Sequence, residues 1–376
     1  IYLIGFMYKK GNTLLVEQFF AETKTEEKDI LEHFICLSKN YQTLITFNGT
    51  RFDLPFICSR CTFHGILEDF EQFSHIDILK EAKNIKNILK LPNYKQKTIE
   101  TFLGIEREDK YSGGELIKVY EAYLKSTEMT LSQQIDFLNM EENITLSSIS
   151  NFREYHLSQN KVPHLQVSST CNKTNHLIFQ KSKQELSELL LLHNFEDVTG
   201  MLNLLPIFTY HFILNGAYQI QNTEINTFTT YEGEIKHELL ITLKNDMPVP
   251  KRISFSDKDF YITIYEKTTK IRIEIFEGEL KYFYENYKDY FYLPQEDMAI
   301  HKSVAEFVDK EFKQRAKACN CYTRKHGLFL PQYRTIFTPI FKEDYKDKVT
   351  YFELTEEFLN SKELLQNYIE DIFIQK

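Results

Sequence analysis

Apolar residues follow two rhythms along this chain, the alternation of strands and the longer period of helices, and the rhythms change at definite places. Ile1–Tyr8 and Thr13–Phe20 are dense in β-branched and aromatic residues and read as two strands, joined by Lys9-Lys-Gly-Asn12 with Gly11 supplying the turn. Thr25–Lys39 repeats its apolar positions at helical period, with Thr25 placed to cap and acidic residues in the first turn. Leu44–Phe47 reads as a buried strand, and the Asn48-Gly49 turn then leads to an apolar helix that starts at Asp53 and runs toward Cys61. Ser74–Leu79 is another short strand. This order of strands and helices predicts an α/β domain whose sheet is partly antiparallel.

Thr98–Arg107 reads as a short helix closed by Gly104, and Gly113-Gly114-Glu115 opens another that runs to about Leu124. From about 127 to 181 the periodicity weakens among Asn, Ser and Thr clusters, which predicts a partly helical insertion or loop. Leu189–Leu205 is again a strongly apolar helix. Beyond Pro206 the alternating runs His237–Lys244, Asp259–Tyr265, Lys270–Phe276 and Glu279–Tyr284 predict an antiparallel sheet. A helix is expected over Asp297–Ala318, and a closing one to about Phe373, capped by Thr355. The expected organisation is an α/β domain over 1–206, interrupted near 127–181, and an α+β domain over 207–376.

Composition narrows the class. The 376 residues are 42% hydrophobic and 26% charged with only 12 Gly and 9 Pro, which suits an ordered globular chain rather than a disordered one. No apolar run is long enough to cross a bilayer and Ile1–Tyr8 lacks the features of a signal peptide, so a cytoplasmic protein is expected. Six unevenly spaced cysteines make no disulfide framework and fit the same compartment. A net charge of −9 means that a nucleic-acid partner would be held by a local patch. The start of the chain inside a strand-like run, without Met, reads as that of a fragment.

Candidate chemistry lies at Asp53, which follows a strand end, and at His193 and Asp197, which are four apart on one helix and share a face. Two carboxylates and an acid/base group in such places are parts of a two-metal phosphodiester-cleaving site. Each has a plainer reading: Asp53 as a helix cap, His193 as a helix histidine satisfied by its neighbours, and Asn48 as a turn former rather than a contact to substrate. His75 and Asp77 face one side of their strand and are read as structural, and Glu196, turned about 100° from Asp197, as solvated. Cys58 and Cys61 lie about one helical turn apart, and with Cys319 and Cys321 their spacing points to packing rather than zinc. Lys310, Lys313, Arg315, Lys317, Arg324 and Lys325, interleaved with Phe312 and Tyr322, are either a phosphate grip or a solvated helix face.

Asn48-x-x-x-Phe52-Asp53-x-Pro55 resembles the second motif of the DEDD-type 3′-5′ exonucleases, and His193-x-x-x-Asp197 falls where their third would lie. More closely, Ile1–Gly5, Gln18–Glu22, Leu44–Pro55, Thr98–Arg107, Ser112–Glu115 and His193–Leu205 follow the order of the YprB-like predicted exonucleases, an RNase H-like family. The resemblance covers about 1–126 and 182–206. It implies an RNase H-like mixed sheet with flanking helices and four carboxylates holding two ions, Mg²⁺ or Mn²⁺, that activate water and stabilise the leaving oxygen. Asp53 and Asp197 match two of the four, and His193 would act on the water. Asn48 and Phe52 would place the terminal nucleotide; outside the resemblance, Lys313, Arg315 and Arg324 of the basic stretch would grip DNA or RNA if that stretch is a phosphate grip.

Two departures qualify the match. The remaining acids belong to an Asp-x-Glu pair on a strand before Ile1, so this chain alone is expected to lack the full metal site. His193 also stands at the spacing where polymerase-type members have Tyr, four before the last Asp rather than five. The alternative is a non-catalytic nucleic-acid-binding protein on a degenerate RNase H-like scaffold.

Overall fold

The computed structural model describes residues 2–68, 70–138, 155–156 and 182–374, which separate into two compact units, Ile1–Lys83 with Leu91–Leu205 and Asn84–Lys90 with Pro206–Lys376. The first unit opens with a hairpin, β1 (Leu3–Lys10) and β2 (Thr13–Phe20), paired from Leu3↔Phe20 to Lys10↔Thr13 around Gly11 at φ 63°. Then follow α1 (Glu27–Ser38), β3 (Thr43–Thr46), α2 (Asp53–His64), β4 (Ser74–Asp77) and α3 (Ile78–Asn84). After α4 (Lys86–Leu89), which belongs to the second unit, the first unit resumes with α5 (Gln96–Leu103), α6 (Gly113–Leu138), β5 (Tyr155–His156) and α7 (Lys183–Leu204). Thr25 does not cap α1, which is preceded by a 3₁₀ turn over Lys24–Glu26. The helix α6 continues past the end expected near Leu124, and most of the stretch read as an insertion lies outside the described residues.

Alternation along the hairpin decides its two faces. Ile4 and Phe19 join Ile30, Leu31, Phe34 and Ile35 of α1 and Ile57 and Cys61 of α2 in one core. Leu3 and Phe20 pack on the other side against Leu116, Val119, Tyr123, Leu186 and Leu190 of α6 and α7. The antiparallel order is β1-β2-β5, while β3 and β4 form a separate parallel pair in register from Thr43↔Ser74 to Thr46↔Asp77. Among the described residues, β1 and β3 therefore each keep one unpaired edge.

In the second unit α4 packs against β8 (Ile253–Ser256), and α8 (Phe208–Leu214) leads into the antiparallel sheet. That sheet joins β6 (Tyr218–Thr229), β7 (Ile235–Asn245), β8, β9 (Phe260–Tyr265) and β10 (Thr268–Glu274) in the order β6-β7-β10-β9-β8. The four expected alternating runs are β7, β9, β10 and β11 (Phe276–Phe283), and the long, mostly polar β6 was missed because little of it is buried. Asp297–Ala318 is not a helix. It folds as β13 (Met298–His301), which pairs with β12 (Tyr290–Leu293), then the single turn α9 (Lys302–Ala305) and β14 (Gln314–Arg315), which also pairs with β12. Its apolar positions serve cross-strand contacts, with Ala299 and Ala316 buried together beside Tyr290 and Tyr292. A closed barrel of β11, β15 (Tyr322–Gln332), β17 (Thr350–Glu353) and β16 (Phe341–Lys342) encloses Leu280, Phe329 and Phe341. Thr355 caps α10 (Glu356–Asn360) as expected, but the single closing helix is interrupted by the extended Ser361, after which α11 (Lys362–Ile374) follows.

Candidate active site

Close approach sets the position of α7. Gly5 of β1 faces it so tightly that a Cβ there would lie 2.2 Å from Asn194 Oδ1 and 2.6 Å from Val198 Cγ2. Gln18 Nε2 of β2 donates to the Leu191 carbonyl at 2.8 Å and to Asn194 Oδ1 at 2.9 Å, which fixes the rotation of the helix. His193, Glu196 and Asp197 are thereby turned toward α5 and the loop that follows it.

They meet a chain of ion pairs there. His193 Nδ1 lies 2.6 Å from Asp109 Oδ2 and its Nε2 lies 3.1 Å from Asp197 Oδ2. Asp109, buried, also accepts from Lys97 Nζ at 2.9 Å and from the Tyr111 amide at 2.9 Å. Arg107 donates to both oxygens of Glu100, at 2.5 and 2.7 Å, and to Asp197 Oδ1 at 2.6 Å. Glu100 is only 1% exposed, so its charge depends on that fork. Glu196 is no freely solvated residue: its two oxygens accept the backbone amides of Glu108 and Asp109, at 2.8 and 2.9 Å, and anchor the loop that carries Arg107 and Asp109.

This network sets the charge states. Burial works against the His193 charge, but the bonds to Asp109 and Asp197 outweigh it and raise its pKa to about 9. With a carboxylate on each ring nitrogen the imidazole is a double donor, and in this arrangement it has no lone pair to take a proton from water. Burial opposes ionisation of Asp109 as well, yet His193 and Lys97 pull its pKa to about 2. The Asp197 pKa is lowered: His193 and Arg107 overcome its desolvation.

The strand-end side is built differently. Asp77, buried at the end of β4, accepts the amides of Asn48 at 2.9 Å and Thr50 at 3.1 Å and so fixes the turn after β3. Burial raises its pKa less than these bonds lower it. His75 Nε2 lies 2.8 Å from Thr46 Oγ1, so His75 and Asp77 are each engaged in holding the end of the β3–β4 pair. Asn48 adopts φ 65° and makes the turn with its backbone, its carbonyl accepting the Phe52 amide at 3.1 Å. Asp53 opens α2 and is exposed; its carboxylate bonds its own backbone amide, and no cation among the described residues figures in its electrostatics. Desolvation by surrounding atoms, together with the charges of Asp77 and Asp197, raises its pKa. Asp53 and Asp197 are therefore within electrostatic reach of each other.

Beside Asp53, Phe52 and Phe56 are 65% and 50% exposed with rings inclined by 16°, a platform that the core does not use. Phe56 also borders a cavity of ≈ 350 Å³ lined by Tyr2, Lys24, Glu27, Arg60 and Tyr120. The basic residues singled out in the sequence belong to the second unit. Lys313 and Arg315 stand over the Phe291 ring, 5.4 and 4.7 Å from its centre, and Lys313 also donates to the Ala305 carbonyl. Arg324 donates to Glu279 Oε1 at 3.1 Å and to the Glu296 carbonyl at 2.9 Å.

Residues 1–152 match the RNase_H_2 family model, described as RNase_H superfamily. No curated protein and no solved structure matches the chain. The α/β topology and this match define the first unit as an RNase H-like domain, followed by a sheet-rich α+β unit. No helix among the described residues is long and apolar enough to cross a membrane.

RNase H-like nucleases in general use divalent ions, and the donor set can be tested for that. Among the described residues, no three His, Cys, Asp or Glu side chains converge to hold a metal. Asp53 has the exposure and the like-charged neighbours of a cation ligand, but both oxygens of Asp197 are already taken by Arg107 and His193. The residues present do not fit a two-ion centre.

The sequence pointed to Asp53, His193 and Asp197 as candidates, took Glu196 as solvated, and gave no role to Asp109, Arg107 or Glu100. The two acids and the arginine at 100, 107 and 109 lie in or just after a short helix, and only Arg107 and Glu100, within the Thr98–Arg107 motif, carried any signal.

Proposed function

We propose that this protein is a nuclease of the RNase H-like class, a 3′-5′ exonuclease acting on single-stranded DNA or RNA ends. The observation that carries the reading is that Asp53 and Asp197, 144 positions apart, lie close enough for the charge of Asp197 to raise the pKa of Asp53, in a domain whose first 152 residues match the superfamily. Phe52 and Phe56 would stack on the terminal bases and Asn48 would shape the turn beside them, while His193 holds Asp197 rather than activating water. Hydrolysis needs Mg²⁺ or Mn²⁺ and two further acids. The resemblance places those acids on a strand upstream of Ile1, and the edges that β1 and β3 leave unpaired among the described residues support the addition of a strand. Lys313, Arg315 and Arg324 are proposed as phosphate contacts of the second unit.

The test is hydrolysis of end-labelled single-stranded DNA and RNA with Mn²⁺, using a chain extended upstream. Cleavage that falls at least about a hundredfold in both Asp53→Asn and Asp197→Asn is expected. Cleavage untouched by Asp197→Asn overturns the site. Salt-sensitive binding without any turnover would instead favour the non-catalytic reading, which the engagement of both Asp197 oxygens supports.

A further inference from the structure

The mismatch between Asp197 and a metal site has a built cause. Arg107 is 8% exposed at its side chain and is gripped through two nitrogens by Glu100, whose side chain is 1% exposed, leaving its remaining terminal nitrogen aimed at Asp197 Oδ1. The packing is arranged around this pair. Gly200 lies on α7 one turn beyond Asp197, and a Cβ there would stand 2.8 Å from Glu100 Oε1 and 3.7 Å from Arg107 Nη2, so a side chain at this position would crowd the carboxylate. Gln96 Nε2 donates at 3.0 Å both to Glu100 Oε1 and to the Asp197 carbonyl, tying α5 to α7 at the same point. Glu196 holds the loop bearing Arg107 from its other side. Arg107 is thus no surface arginine that happens to reach an acid. It is a fixed, buried cation with a fixed direction.

We infer that Arg107 is the resident counter-cation of Asp197, and that in this chain it takes the place at Oδ1 that a divalent ion would need. A guanidinium fork held by a buried carboxylate satisfies the Asp197 charge without dehydrating an ion, and its displacement would strand the Glu100 charge in a dry site. His193 covers the other oxygen, so Asp197 enters no metal coordination while the Glu100–Arg107 pair is intact. The inference stands apart from the nuclease reading: an extended chain that cuts nucleic acid would have to move Arg107 first, and one that does not cut leaves the statement about this chain unchanged.

The experiment is Mn²⁺ binding to the 376-residue chain, followed by the electron paramagnetic resonance signal of free Mn²⁺, without nucleic acid. In the unaltered chain, Asp197→Asn is expected to leave Mn²⁺ affinity unchanged. The charge-neutral double variant Glu100→Gln/Arg107→Gln is expected to bind Mn²⁺ about tenfold more tightly or better, and adding Asp197→Asn should abolish that gain. Arg107→Lys, which keeps a cation beside Asp197, should behave as the unaltered chain does. Loss of Mn²⁺ affinity on Asp197→Asn in the otherwise unaltered chain overturns the inference, and this arm decides the matter even if the double variant does not fold. A folded double variant with no Asp197-dependent gain overturns it too. Cleavage assays play no part, so failure here and failure of the nuclease reading are told apart.

Discussion

Asp53 and Asp197 are the same side chain in two opposite settings. At the start of α2, Asp53 faces water with two carboxylates nearby, and its pKa is raised. On α7, Asp197 sits between a guanidinium and an imidazolium, and its pKa is lowered. The neighbouring Asp77 explains part of the contrast, because it spends its charge on backbone amides that hold the β3–α2 turn and leaves none of them to Asp53. One end of the candidate site therefore carries unbalanced negative charge, and the other is neutralised by a chain of pairs from Lys97 through Asp109, His193, Asp197 and Arg107 to Glu100. The lesson is that a carboxylate becomes available to a ligand by what its neighbours fail to supply.

The contrast is broken most forcefully at Arg107. Arg107→Ala leaves the buried Glu100 without a counter-charge, with only the Gln96 amide bonded to it, and is expected to cost about 3–5 kcal/mol, read as a lower denaturation midpoint. A loss below about 1 kcal/mol would mean that the pair is not the anchor described here.

A pH series separates the two ends next. The His193 pKa rises from 6.5 to about 9 on folding, so its contribution to stability is full below pH 6.5 and lost as pH climbs through about 9. A decline on the order of 1–3 kcal/mol over that window is expected, and His193→Gln should flatten it. An equal decline in the variant would assign it to another group. Asp53 acts with the opposite sense and at acid pH. Its folded pKa is above the unfolded value of 3.8, so folding gains stability as pH falls through that range.

The smallest effect sharpens the comparison. Asp53→Asn relieves like-charge repulsion but removes an acid from the first turn of α2, and the two effects should leave stability within about 0.5 kcal/mol of the unaltered chain. A cost comparable to that at Arg107 would show that Asp53 has a partner of its own.

Local pattern determined a good part of this protein. Alternating and helical periods located the β1–β2 hairpin, α1, α2, α7 and the strands β7, β9, β10 and β11, because each buries one face or stripe that sequence spacing records directly. Motif spacing also singled out Asp53, His193 and Asp197. The same signals misread Asp297–Ala318, where apolar positions that pair across β12, β13 and β14 imitate a helix, and overlooked β6, whose residues are held by hydrogen bonds to β7 more than by burial. What only the tertiary structure decided is which charges meet. Glu100, Arg107 and Asp109 become partners of His193 and Asp197 because Gly5 and Gly200 let α7 approach β1 and α5 so closely. Charge pairing across some ninety positions leaves no period in a sequence, since it depends on distance in space and on the exclusion of water, and neither exists until the helices have packed.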